Sequence, residues 1–200
     1  MAIDPAVILI AVILMNYYVT TFTVWFGHWF SHLKKSPLAP FHVAGHHVFY
    51  PDSHHILSQK FIYGQGKKSS IYSLLPWLIV QSLGQFIWFS GTNYMVCLAT
   101  EIALVVVFSQ LHGEFHLRGS RLERFAWFRR ARQHHALHHD RDVNYMAGDH
   151  FWDRLLGTYM PPAEVKVNAR RRAKVTVKLA SPKQVELKVF HRKGSGGLEG

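Results

Sequence analysis

The chain has a single cysteine, Cys97, among 200 residues. One thiol excludes an intramolecular disulfide and a cysteine-ligated metal cluster. Inside an apolar run it reads as a small buried hydrophobe. Acids are scarce too: 12 Asp and Glu stand against 23 Lys and Arg, a formal net charge of +11. Charge is missing from whole stretches. No Lys or Arg precedes Lys34, residues Ala6 to Phe26 carry no charge, and between Ile71 and Leu111 the one charged side chain is Glu101. A basic balance points to nucleic acid or to an anionic membrane surface. No nucleic-acid-binding signature accompanies the basic residues, and the apolar blocks favour the membrane.

Three apolar runs, Ala6 to Phe26, Ile71 to Phe89 and Tyr94 to Leu111, are each about long enough to cross a bilayer core as a helix. A cleaved signal peptide is the alternative for the first. It lacks the basic leading region, and cleavage would detach His28 and His32. Ser90 to Asn93 separate the second and third runs, which predicts a helical hairpin with a tight turn. Pro76 falls near the start of the second run, where proline is tolerated. Glu101 is expensive at membrane depth, so it is expected to face protein, hydrogen-bonded to a neighbouring helix. The predicted fold is an all-α integral membrane protein of about three transmembrane helices with a histidine-rich helical cap. Every Lys and Arg lies on the cap side. The positive-inside rule makes that side cytoplasmic, in a bacterial inner membrane or the endoplasmic reticulum.

Residues 1–160 form the membrane and histidine-rich unit. Within it, residues 27–70 are polar, with breakers at Pro37, Pro40 and Pro51 and a loop signal from Gly64 to Ser70. Residues 161–193 are basic and alternate, as in Lys174 to Leu179 and Val185 to Phe190. They read as a small β-hairpin or as a basic tail on an anionic lipid surface. Residues 194–200, rich in glycine, read as an appended tail.

Histidine is abundant, 15 in all. His28 and His32, and His112 and His116, are i, i+4 pairs, each on one helix face. His42 and His46 share a face, whereas His47 needs a distortion or a different approach. His135, His138 and His139 form a third kind of box, in which His134 competes with His135 because it too has an i, i+4 partner. Ten imidazoles are too many for one ion and suit two metals with about five nitrogens each. Imidazole accommodates iron, zinc, copper or nickel. His134, His150, Asp140, Asp149, Asp153 and Glu114 are candidates to hydrogen-bond and orient the ligand rings. His54 and His55 read as surface groups or supports. Asp153 with Arg154 also reads as a plain ion pair.

These boxes, HxxxH, HxxxHH, HxxxH and HxxHH, resemble those of the fatty acid hydroxylase and sterol desaturase superfamily. Asn144-Tyr145 and Trp152-Asp-Arg-Leu-Leu-Gly-Thr158 resemble its ending. The likeness covers about residues 20 to 160. It departs at Met146, where the family often has glycine, and in having three apolar runs where larger members have four. The resemblance implies two iron ions (zinc being a possible substitute in a recombinant preparation) ringed by the ten box histidines, with no catalytic residue beyond the ligands. It implies O2-dependent hydroxylation or desaturation of a lipid, such as a fatty acyl chain or a sterol. Electrons would come from a soluble donor, a ferredoxin or a b-type cytochrome, drawn to the basic surface. Two other classes stand beside it: a carotenoid hydroxylase, and a non-enzymatic metal-binding membrane protein. Transport would call for ionisable groups within the spans, where Glu101 stands alone.

Overall fold

The computed structural model of the protein describes residues 3–53, 55–60 and 71–162. The loop signal from Gly64, His54, and the β-hairpin or basic tail of 161–193 lie outside them, apart from Pro161 and Pro162. The described residues are mostly helical and contain no strand. The helices are α1 (Pro5–His32), α2 (Ala39–His42), α3 (Ile71–Trp88), α4 (Gly91–Phe115), α5 (Ala126–Asp140) and α6 (Phe151–Leu155). A π-helical turn, Val43–His47, follows α2, and a 3-10 turn, Arg121–Arg124, precedes α5.

Helix α1 starts where Asp4 accepts from Ala6 N with Pro5 in the first turn, the arrangement that satisfies leading N–H groups. It runs past the apolar stretch and carries His28 and His32 on its last turns. Helix α4 likewise begins before its apolar run, at Gly91, and ends at Phe115. The break after α3 is therefore Phe89 and Ser90, shorter than the predicted Ser90 to Asn93. Two helices, α1 and α4, are long and apolar enough to cross a membrane. Helix α3 packs against both.

A polar network helps join α1, α3 and α4. Asn16 Nδ2 donates to the Cys97 carbonyl at 2.7 Å, and Asn16 Oδ1 accepts from Gln85 Nε2 at 2.6 Å and Gln81 Nε2 at 3.4 Å. Gln81 Nε2 also reaches Thr20 Oγ1 at 2.8 Å and Glu101 Oε2 at 3.3 Å. Glu101 is buried and hydrogen-bonded across helices as the sequence predicts, and Cys97 is fully buried. In apolar surroundings such bonds resist sliding and rotation, because breaking them leaves polar groups with no water. Apolar packing joins them too, with Leu74 and Phe108 against the cluster that holds Val24 and Phe26 against Trp77, and one approach is especially close. A Cβ at Gly27 would meet Trp77 Cδ1 at 2.7 Å, so only glycine lets α1 approach α3 there.

Asn16→Leu removes the hub of this network and leaves the buried Gln85 amide without its acceptor. It is expected to cost about 2 kcal/mol, read as a lower unfolding temperature in detergent micelles. A variant as stable as the parent would mean the network carries no packing energy.

Candidate metal centre

Nine of the ten box histidines gather into two clusters, in each of which the ligand atoms lie within 4.8 Å of one another. The first holds His28, His32, His42, His47 and His138; the second holds His46, His112, His116 and His135. His139 adjoins the second, its Nε2 3.2 Å from His135 Nε2. Its ring also stacks on His47 at 4.3 Å between centroids, so it lies between the two.

The π turn corrects one sequence expectation. His42 and His46 do not share a site. A π turn closes at i+5 rather than i+4, which brings His47 Nε2 to 3.1 Å from His42 Nε2. His46 swings to the second cluster, where its ring lies 4.7 Å from His112. The distortion that His47 requires is thus built into the backbone. Helix α5 divides its histidines too, His138 going to the first cluster and His135 to the second. His135 rather than His134 is the clustered residue. His134 faces away, its ring 4.2 Å from His150.

Hydrogen bonding accounts for these contacts only in part, since His42, His47 and His135 can each donate from Nε2 but the first chain has three contacts for two such donors. Ring nitrogens approach in chains: His28 to His42 at 2.8 Å, His42 to His47 at 3.1 Å, His47 to His138 at 3.2 Å, and His116 to His135 at 3.0 Å, all Nε2 to Nε2. A neutral imidazole has one N–H. The Nδ1–H of His138 goes to the Val143 carbonyl at 2.9 Å and that of His116 to the Ile56 carbonyl at 2.9 Å. His28 donates through Nδ1 to the Tyr145 carbonyl and His139 to the Tyr50 carbonyl. Carbonyls only accept, so the Nε2 of each of these four rings is a lone pair. His32 Nδ1 donates to Asp142 at 3.0 Å, and its Nε2 is buried without a partner, as is His46 Nε2. Lone pairs turned toward one another repel unless a cation lies between them. With metal–nitrogen bonds of about 2.1 Å, neighbouring nitrogens at right angles are about 3.0 Å apart, the spacing observed. The donor set fits metal ions.

Electrostatics agrees. Burial, followed by the neighbouring rings, holds His42, His46, His135 and His138 well below the usual imidazole value. These rings are therefore neutral at pH 7, the form that ligates.

The orienting groups differ from those expected. Most are backbone carbonyls, and a carboxylate that meets a cluster ring among the described residues is Asp142, four residues past His138, on His32. Asp140 accepts from Ser53 N at 2.7 Å and touches His139 only through its charge. Asp149 accepts from the Tyr17 hydroxyl at 2.7 Å, and Glu114 from Ser120 Oγ. His150 Nδ1 lies 3.3 Å from Asp153 Oδ2, and exposed His55 pairs with Asp52 at 2.8 Å.

Asp153 is not a plain surface ion pair. It is fully buried and accepts from Tyr145 N at 2.9 Å, Met146 N at 3.1 Å, Thr158 Oγ1 at 2.8 Å and Trp25 Nε1 at 3.1 Å. Burial pushes its carboxyl up, but hydrogen bonds from His150, Thr158 and the Met146 and Tyr145 N–H groups outweigh that and hold it below the usual carboxylate range. Asn144 sits at φ 53, a conformation asparagine tolerates. Its side chain closes the loop, donating to Met160 O at 2.9 Å and accepting from Met160 N at 2.8 Å. Together they turn the Val143 and Tyr145 carbonyls onto His138 and His28. Met146 needs no positive φ, so replacing the resembling family's glycine strains nothing.

Compared with protein-family models, with curated proteins and with solved structures, the chain finds no match.

His135→Ala is expected to empty part of the site while His134→Ala leaves bound metal unchanged, measured as metal per chain after purification. Acid gives an independent check on the metal-free protein. In the fold, burial holds His134 and His139 down to about 4, whereas an unfolded imidazole takes its proton near ~6.5. Between those values the unfolded chain binds more protons. Stability is therefore full above the upper value and falls as pH drops toward the lower. Thermal unfolding from pH 7 to 4 should show a steadily falling midpoint, and a flat profile would contradict buried neutral rings.

Proposed function

We propose that this protein is an integral membrane oxygenase that binds two iron ions in its histidine clusters and uses O2 and external electrons to hydroxylate or desaturate a lipid. One observation carries the reading. A single cavity is walled by apolar side chains of α1, α3 and α4, among them Val24, Leu74, Val105 and Phe108, and also by rings of both clusters, His28 and His42 with His112 and His135. An apolar wall running to two sets of metal-binding nitrogens suits an alkyl chain whose C–H bond is to be oxidised. Cavities of this make-up are the usual form of small-molecule sites.

Iron bound there would supply O2 activation and C–H cleavage. The chain's own residues do the rest. The Val143, Tyr145, Tyr50 and Ile56 carbonyls fix which nitrogen of each ring is free to bind. Leu74, Val105 and Phe108 hold the alkyl chain and exclude water. Tyr145 lines the same cavity, and its ring packs against His28, His32 and His138.

In this reading α3 is a third membrane span beside α1 and α4, and the Phe89–Ser90 break lies on the far side of the bilayer. The clusters face the cytoplasm, where the Lys and Arg residues attract an acidic soluble electron donor. The histidine boxes, which resemble the fatty acid hydroxylase and sterol desaturase pattern, support the choice of iron.

The test is lipid analysis of cells producing the parent protein or His135→Ala, with and without O2, in a host that also makes carotenoids. The parent should yield an oxygenated or newly unsaturated lipid that requires O2 and His135. An oxidised carotenoid as the sole product would reassign the substrate. Full metal loading with no oxidised product of any lipid class would leave a metal-binding membrane protein and overturn the enzyme.

A further inference from the structure

The short helix α6 carries an apolar face that the metal site does not use. Leu155 is 63% exposed, Leu156 44% and Phe151 43%. Large apolar side chains grouped this way mark a surface with an apolar partner.

The neighbours of α6 give its depth. The Tyr17 hydroxyl donates to Asp149, Tyr18 meets Phe151 edge-on at 5.2 Å, and Phe22 meets Trp152 at 5.0 Å. Trp152 Nε1 donates to Thr21 Oγ1 at 3.0 Å. Residues 149–152 thus lie along the turns of α1 from Tyr17 to Phe22, and not beside its polar end. Tyr18 stands eight residues before Phe26, where the apolar run of α1 ends. At 1.5 Å per residue that is about 12 Å along the axis. Tyr18 and Phe22 are themselves exposed, at 45% and 39%, so the apolar flank of α1 continues onto α6.

We propose that α6 is a monotopic membrane element: Phe151, Leu155 and Leu156 are immersed among the acyl chains of the leaflet that borders the metal clusters. This rests on reading α1 as a membrane span. Interfacial helices bury their apolar face roughly 5–10 Å into the headgroup and acyl boundary; the start of α6 lies at that depth or below, beside Tyr18 and Phe22, and Asp153 rises to Trp25 nearer the end of the run. Lipid suits this face better than a second copy of the chain. Two side chains on a five-residue helix and Leu156 just past its end offer far less than the ~800 Å² per partner of a stable interface. Arg154, amid them, folds its guanidinium over the Tyr159 ring at 4.6 Å, as a cation does at an apolar boundary. Asp153, on the same helix, holds the loop whose carbonyls orient His28 and His138. Seating α6 in the leaflet therefore sets the metal site at a fixed height relative to the lipid.

The experiment uses the full chain in phospholipid bilayers with Cys97→Ala as background and a nitroxide label at Leu155→Cys or Leu156→Cys. Collisions with dissolved O2 and with a water-soluble nickel chelate are measured, alongside Leu14→Cys on α1 and Lys34→Cys beyond its end. Unchanged metal content checks the fold of each variant. The expected result is high O2 and low nickel access at both α6 positions, matching Leu14→Cys and opposite to Lys34→Cys. Nickel access on α6 equal to that at Lys34→Cys overturns the proposal while the span stands. Immobile labels reached by neither reagent mean that protein covers the face, and overturn it too. Nickel access at Leu14→Cys as well would instead overturn the reading of α1 as a span, and the proposal with it.

Discussion

Everything near the clusters depends on one constraint: imidazole nitrogens that carry lone pairs converge in space that water does not reach. Burial forbids protonation, so the rings cannot relieve the repulsion by charging. Backbone carbonyls hold Nδ1–H in several of them, so they cannot relieve it by switching tautomer. His42, His47 and His135 can turn an Nε2–H toward a neighbour, which still leaves one contact of the first chain unsatisfied, and a cation between the rings would satisfy it. The fold thereby stores an unfavourable arrangement that metal binding turns favourable, and metal affinity and stability become one quantity. A lone buried histidine would settle for a carbonyl and nothing more.

That arrangement persists only if the surrounding structure leaves the rings no alternative. The loop from Asp142 to Met160 does this work with few residues. Asn144 adopts the left-handed conformation, Met160 brackets its amide, and Asp153 gathers two backbone N–H groups, a hydroxyl and the Trp25 indole. Removing the carboxylate would leave those donors buried and unpaired, at a cost of about 1–3 kcal/mol each. The Trp-Asp-Arg-Leu-Leu-Gly-Thr stretch therefore has a physical purpose that is independent of any family resemblance: its aspartate fastens the loop behind the last histidine box to α1.

The sequence disclosed the chemistry better than its partition. Spacing picked out the nine rings that cluster and His139 beside them, because i, i+4 and i, i+3 relations are local and survive folding; it left His134 and His135 level, and the resemblance to the HxxHH box chose His135. It mispaired His42 with His46, because α-helical spacing was applied to a stretch that forms a π turn, and nothing in Val43-Ala-Gly-His-His47 announces that. The carboxylates were assigned to orient rings on type and proximity alone. In the fold most are spent on backbone N–H groups or a tyrosine, while carbonyls, which have no sequence signature, do the orienting. The apolar runs showed where helices would form but understated their lengths, since α1 and α4 continue into their histidines.

The division of ligands among elements explains why the clusters form together. Helix α1 supplies only the first cluster and α4 only the second. The α2–π segment and α5 each supply both, through His42 and His47 against His46, and through His138 against His135. Adjacent residues pulled to different centres act as struts between them, and His139 lies in the gap against His47. Neither cluster can shift without dragging the other. The separation of the two is then set by how α1 packs against α4, which the Asn16 bond to the Cys97 carbonyl fixes from well below the site. Helix register in the apolar part of the chain is thus transmitted to the geometry of the donor atoms at its end.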